Sequence, residues 1–264
     1  MGTLARTAAD EVVRAAIAAI AARRRFTVVL SGGSTPARLF ELLAADPYRS
    51  QMPWSATHVY WGDERCVPPD HPESNYRMAA EKLLDHVPIP AANVHRIRAE
   101  LPPEEAAALY EADLQSLTPI SDPPVATSPP QPVTLRPSDP HTLIRSPRHA
   151  PSLDLVLLGM GPDGHTASLF PGTAALEERD RLVVANHVPK LATHRITLTV
   201  PALNAGRAVV FLVAGADKAA MVKRVLEGEP AQVPAQLVQP TSGNLLWLLD
   251  AAAAAQLGNE AGGQ

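Results

Sequence analysis

The sequence predicts an α/β fold: an open, mainly parallel sheet with helices on both faces. Three observations predict it. Short β-branched or leucine-rich runs alternate with helical stretches along most of the 264 residues. Several of these runs are apolar throughout, as strands buried on both faces are. Four of them close on polar, glycine-containing turns, where an open parallel sheet places its ligands.

The elements follow in order. Residues 7–24 contain no Gly or Pro and read as an alanine-rich helix. Its basic end, Arg23 to Arg25, suits the helix dipole and reads as a solvated terminus. Residues 26–30 form a buried strand that runs into Ser31, Gly32, Gly33, Ser34 and Thr35. Pro36 then fits the first turn of a helix over 36–45. A second strand covers 57–61 and closes on Gly62, Asp63, Glu64 and Arg65. A helix follows over 75–84, then a strand over 93–97. Pro102 and Pro103 open a helix that runs to about 117. Residues 118–151 break the pattern, with ten prolines in 34 positions and no periodic apolar face. They read as an irregular insertion of polyproline character within one domain spanning 1–264. Strands return at 153–158, 181–185, 195–200 and 208–213. A helix over 217–226, a strand over 245–249 and a helix over 250–257 complete the chain. No internal repeat is visible.

Composition excludes several functions. The formal net charge is -4 and aromatics are 4% of residues. Neither nucleic acid nor an anionic bilayer is attracted by such a surface, and stacking platforms for single strands are absent. The early apolar run over 15–22 has eight residues, against the roughly 20 that a spanning helix needs. Asp10 and Glu11 precede it, which no signal peptide would tolerate. Cys66 is the one cysteine. It forms no intramolecular disulfide and suits a reducing compartment, and with no targeting feature read in the sequence the cytoplasm is the expected default. His86, His141 and His149 lack metal-ligand spacing, so no metal is expected.

The chemistry concentrates at the four strand-end turns. At Ser31–Thr35 two glycines allow close backbone approach, and the following helix aims its free N–H groups at the turn, which suits a phosphate. At Gly62, Asp63, Glu64 and Arg65, three consecutive charges after a buried strand point to a ligand, whereas Cys66 beside them reads as a bystander. Gly159, Gly161 and Gly164 match G-x-G-x-x-G after a strand. Pro162 removes an N–H from that turn, however, and no acidic residue closes the next strand. A dinucleotide is therefore rejected, and the turn is read as projecting Asp163 and His165 into a cleft, with His165 as general base. Lys218, after Gly215, sits at a helix start, where a cation opposes the dipole unless an anion joins it. There is no G-x-S-x-G elbow and no Walker A loop, so serine-triad hydrolysis and nucleotide-driven phosphoryl transfer lose ground.

These segments resemble the lactonase branch of the glucosamine-6-phosphate isomerase/6-phosphogluconolactonase superfamily. The resemblance rests on LSGGSTPARLFELLA from Leu30, WGDERCVPPDHPESNYRMA from Trp61 and LDLVLLGMGPDGHTASLFPGT from Leu153. It extends through HRITLTVPALNAGRAVVFLVAGADKAAMVKRVLEG from His194 and GNLLWLLDAAAA from Gly243. The deaminase branch carries a catalytic glutamate five residues after the histidine; here that position is Phe170. The proline-rich stretch departs from the family pattern.

The resemblance implies a Rossmann-like three-layer sandwich. It also implies hydrolysis of 6-phospho-D-glucono-1,5-lactone to 6-phospho-D-gluconate, the second step of the oxidative pentose phosphate pathway. His165 would deprotonate water, and Asp163 or Glu64 would orient its imidazole. Backbone N–H groups near Gly161 or Gly33 would hold the oxyanion. Gly32, Gly33, Ser34, Thr35, Asp63, Arg65, Gly161, Arg195 and Lys218 would hold the substrate and its phosphate. No cofactor is implied; the partner is a small sugar phosphate, and the chain acts as a monomer or small homo-oligomer. Two rivals are a sugar-phosphate isomerase or deaminase, opposed by Phe170, and a non-catalytic sugar-phosphate sensor. The sensor would need the helix-turn-helix and basic face that this chain lacks.

Overall fold

The computed structural model describes residues 2–117 and 153–258. The proline-rich stretch expected as an insertion lies outside the described residues. Within them the chain builds helix α1 (Gly2–Arg23), strand β1 (Phe26–Leu30), α2 (Ser34–Leu43) and the short α3 (Tyr48–Gln51). Then come β2 (Thr57–Trp61), β3 (Asp63–Arg65), α4 (Asn75–Lys82) and α5 (Pro103–Gln115). After the gap follow β4 (Leu155–Leu158), β5 (Val183–Val188), β6 (Thr193–Leu198), α6 (Val200–Asn204), β7 (Ala208–Val213), α7 (Ala219–Glu227) and β8 (Asn244–Leu249).

Five strands form one parallel sheet in the order β2-β1-β4-β7-β8. Every residue of β1 and β4 is buried, so both faces of the sheet centre are covered. Helix α1 packs on α2, β1 and β8, and its small buried residues Ala8, Ala9, Ala16 and Ala19 let it lie close. The result is an open α/β sandwich, as expected.

Three expectations need correction. The strands around 183–188 and 193–198 do not join the parallel sheet. With β3 they form a separate antiparallel sheet, β3-β6-β5, against which α5 packs. Residues 93–97 form no strand: a 3-10 turn over Ala91–Asn93 leaves a single bridge, Val59 to Val94. Residues 250–257 are turns rather than a helix. There the Asp250 carboxylate accepts from the backbone N–H of Ala253 and Gly215 instead of leaving a regular ladder.

The chain leaves β1 for β2 on one side and later places β4 on the other side of β1. This reversal puts a crevice outside the carboxyl ends of β1 and β4, the position where open sheets bind ligands. A buried ionic knot fixes the seam behind it. Asp154 accepts from Arg23 at 2.6 Å and from the Thr27 backbone N–H at 2.8 Å and hydroxyl at 2.9 Å.

Candidate active site

The crevice is a cleft of about 310 Å³, walled by the loops after β1, β2, β4 and β7. The four turns singled out in the sequence therefore meet. Gly32, Gly33, Ser34 and Thr35 form one wall, Gly161 and His165 face it, and Asp63, Arg65 and Lys218 complete the lining.

The first wall opens helix α2. Gly33, with φ 108, is its N-cap and supplies no capping side chain. The N–H groups of Ser34 and Thr35 in the first turn have no partner within the helix, and both residues line the cleft, which suits an anion. Gly32 admits no larger residue, because a Cβ there would lie 1.9 Å from Asn75 Oδ1. Asn75 also lines the cleft, and its Nδ2 donates to the Asp63 carbonyl at 2.9 Å. The sequence reading missed Asn75; its only signal was an asparagine at the start of a helix directly behind the acidic turn. Asp63 is held in turn by the Ser168 hydroxyl, which donates to its Oδ2 at 2.6 Å.

The opposite wall is the Gly159–His165 turn. His165 Nδ1 donates to Asp163 Oδ1 at 2.5 Å, and the His165 backbone N–H donates to the same oxygen at 3.2 Å. With the proton on Nδ1, the unprotonated ring nitrogen is Nε2. A Cβ on Gly161 would sit 2.0 Å from the imidazole, so the ring occupies the space that a side chain would need. The Gly161 N–H donates to the His165 carbonyl at 2.8 Å. It is therefore committed within the turn, which corrects its expected role as an oxyanion donor. The Phe170 ring stacks on the imidazole with centroids 4.1 Å apart.

Asp163 is a strong acid here. Burial alone would raise its proton affinity, but hydrogen bonds from Lys190 and then His165 outweigh that and hold the carboxyl far below the usual range. It stays ionised while His165 gains a proton. Lys190, absent from the sequence reading, lies in the turn between β5 and β6 and pairs with Asp163 Oδ2.

Glu64 corrects a second expectation. It is 3% exposed and lies outside the cleft lining. Its Oε1 accepts from the N–H of Arg65 and of Asn75, both at 2.8 Å, and its Oε2 from Tyr76 N–H at 2.8 Å and Ser74 Oγ at 3.1 Å. Burial raises its proton affinity, against the pull of those backbone donors. The carboxylate anchors the start of α4, so Asp163 alone orients the imidazole.

Two cations also need comment. Arg195 pairs in register with Arg65 across β6 and β3 but does not line the cleft. Its Nε is buried and finds no hydrogen-bond partner among the described residues. Burial, and then the charge of Arg65, lowers its proton affinity, a balance that an anion nearby would relieve. Lys218 caps α7, as expected, but its ammonium meets the Asp217 carboxylate at 3.2 Å. Its position thus does not by itself require a phosphate. Cys66 is half-buried and burial raises its thiol pKa, so it makes no ready nucleophile. Among the described residues no group of three or more His, Cys, Asp and Glu is placed to hold a metal ion.

Fold and cleft together define a class: an open α/β protein whose ligand cleft lies where the strand order reverses. More particularly, the chain belongs to the family of glucosamine-6-phosphate isomerases and 6-phosphogluconolactonases, whose family model matches residues 2–247. It is 43% identical over 242 residues to the 6-phosphogluconolactonase of Nostoc sp., covering 90% of this chain and 88% of that one. To the human 6-phosphogluconolactonase it is 41% identical over 244 residues, covering 91% and 84%. The structure of the 6-phosphogluconolactonase from Trypanosoma brucei superposes with a TM-score of 0.77 at 28% identity, covering 97% of this chain and 95% of that one.

Proposed function

We propose that this chain is a 6-phosphogluconolactonase: it hydrolyses 6-phospho-D-glucono-1,5-lactone to 6-phospho-D-gluconate in the pentose phosphate pathway. The observation that carries the mechanism is the 2.5 Å bond from His165 Nδ1 to Asp163 Oδ1, which leaves Nε2 as the base on the cleft wall. Nε2 takes a proton from water as its oxygen attacks the lactone carbonyl carbon. The carbonyl oxygen becomes the oxyanion of a tetrahedral intermediate. As that collapses, the ring C–O bond breaks and the imidazolium returns its proton to the leaving ring oxygen. Asp163 stabilises the imidazolium in between without accepting its proton. A δ-lactone is an activated ester, so no covalent nucleophile is needed.

The phosphate end belongs to the opposite wall. The first turn of α2 with Ser34 and Thr35, flanked by Arg65 and Lys218 and backed by Arg195, supplies donors and positive charge for a dianion. Phe170, where the deaminase branch carries a catalytic glutamate, favours the lactonase reading over ring-opening chemistry. We read the chain as one catalytic unit with an insertion at 118–151, working in the cytoplasm as a monomer or small homo-oligomer. The single cysteine suits that compartment.

The test assays lactone hydrolysis beside ammonia release from glucosamine 6-phosphate, on wild type and on His165→Asn. Wild type should open the lactone and release no ammonia. His165→Asn should stay folded and lose about 10²–10⁴-fold in kcat, the usual worth of a general base. A near-normal kcat in the folded variant removes His165 from the mechanism.

A further inference from the structure

We propose that Lys190 is a positioning residue for the reaction: it clamps Asp163 through the carboxylate oxygen that His165 does not use, and so holds the imidazole in place as base. This rests on the reading of His165 as the base.

The argument is geometric. Asp163 has two oxygens. Oδ1 is occupied by His165, through the ring and the backbone N–H. Oδ2 is paired with the Lys190 ammonium. The same ammonium lies 4.5 Å from the centroid of the Phe170 ring, within range of a cation–π contact. Phe170 in turn stacks on His165. Lysine, aspartate, histidine and phenylalanine thus close a ring of four contacts, each residue touching the next. Lys190 reaches this ring from a separate stretch of chain, the 3-10 turn Pro189–Leu191. The Gly-rich loop holds Asp163 and His165 together, and a cation from outside the loop occupies the second carboxylate oxygen.

An ordinary surface ion pair is the competing account, since the Lys190 side chain is 51% exposed and such pairs contribute little to stability. Two features argue for more. The partner is the one carboxylate that orients the base, so any loss of its fixed position is felt by the imidazole. Phe170 is 6% exposed, and the ammonium adds a directed contact to an otherwise buried apolar ring.

The electrostatic consequence has a definite sign. The charged groups around His165 are the Asp163 carboxylate and the Lys190 ammonium beside it, with Asp63, Arg65 and Lys218 lining the cleft. Asp163 favours the imidazolium and Lys190 opposes it. Removing the Lys190 charge leaves Asp163 uncompensated, so His165 holds its proton to higher pH. The base is then protonated, and inactive, further up the pH scale.

The experiment compares the wild type with Lys190→Gln and Lys190→Arg, using kcat/KM for the lactone across the acid limb and an NMR titration of the His165 ring. Lys190→Gln should move the limb and the ring titration up together by about half to one pH unit, an ordinary size for a lost neighbouring charge. At pH values on that limb kcat should fall about 3–10-fold, since one pH unit is tenfold in the unprotonated base, with KM within about twofold. Lys190→Arg should restore the wild-type limb. An unmoved limb and ring titration in Lys190→Gln overturn the proposal. So does a loss that appears only in KM, which would make Lys190 a substrate contact. If His165→Asn keeps its kcat, the base reading fails on its own. If His165→Asn is inactive while Lys190→Gln titrates like wild type, only the role of Lys190 fails.

Discussion

At the scale of single residues, the instructive case is Glu64. Its carboxylate collects four donors, three at the start of α4 and one from Arg65 in β3, and does not line the cleft. Glu64→Gln would turn an amide N–H₂ toward N–H groups that expect an acceptor. Urea unfolding should show a loss of about 2–3 kcal/mol, the range for hydrogen bonds to a charged group lost without replacement. The folded fraction should keep kcat within a few-fold; a stable variant with a collapsed kcat would return Glu64 to the chemistry. In the sequence, Asp63, Glu64 and Arg65 looked alike, three charges after a buried strand. What separates them is alternation along β3, which turns Asp63 and Arg65 to the cleft and Glu64 away from it. Asp163 and His165 were legible because two residues of one tight turn must lie together. Lys190 was not, since nothing local ties a turn after β5 to a turn after β4.

Among the elements, the apolar strands were readable to within a residue or two at β1, β2, β7 and β8, where every position of a continuous run is buried or paired at the sheet. The antiparallel sheet was not readable. Its strands β5 and β6 carry mixed sequences, Val183–Val188 and Thr193–Leu198, whose partners are set by the turn that joins them. Another joint invisible in sequence links β2, the segment between α4 and α5, and α5 itself. His58 Nδ1 meets His95 Nε2 at 3.0 Å, and His95 Nδ1 meets Asp113 Oδ2 at 3.0 Å. His95 also stacks on Tyr60 with centroids 4.2 Å apart. Burial first, then His95 and Arg25, lowers the proton affinity of His58, with Asp113 opposing. A histidine with a lowered folded-state pKa binds protons better when unfolded, so stability falls as pH drops through the ordinary histidine value of about 6.5. The melting temperature should fall between pH 7.5 and 5.5, and His58→Gln should lessen that fall. Identical pH dependence in the two proteins would show that the joint does not titrate.

For the whole molecule, the decisive feature is that one chain passes through the central sheet twice. Residues up to 117 supply β1, β2 and β3; residues from 153 supply β4 to β8. Their junction is the pairing of β1 with β4 and of β3 with β6, closed by the Arg23–Asp154 knot and by Glu111, which accepts from the Leu182 N–H and pairs with Arg181. All of these contacts lie among the described residues. Replacing about 20 central residues of that stretch with a short Gly/Ser linker should leave kcat/KM within a few-fold, because loop closure costs little per added residue. A collapse in solubility or activity would mean that the stretch packs on the core or covers the cleft. The junction also divides the chemistry. Gly32 to Thr35, Asp63, Arg65 and Asn75 come from the first passage, and Gly161, His165 and Lys218 from the second. The cleft lining is thus shared between the two segments, and neither holds all of it. Severed between them and fused to two other proteins, the halves would act as a coincidence detector, turning over lactone only where their carriers meet.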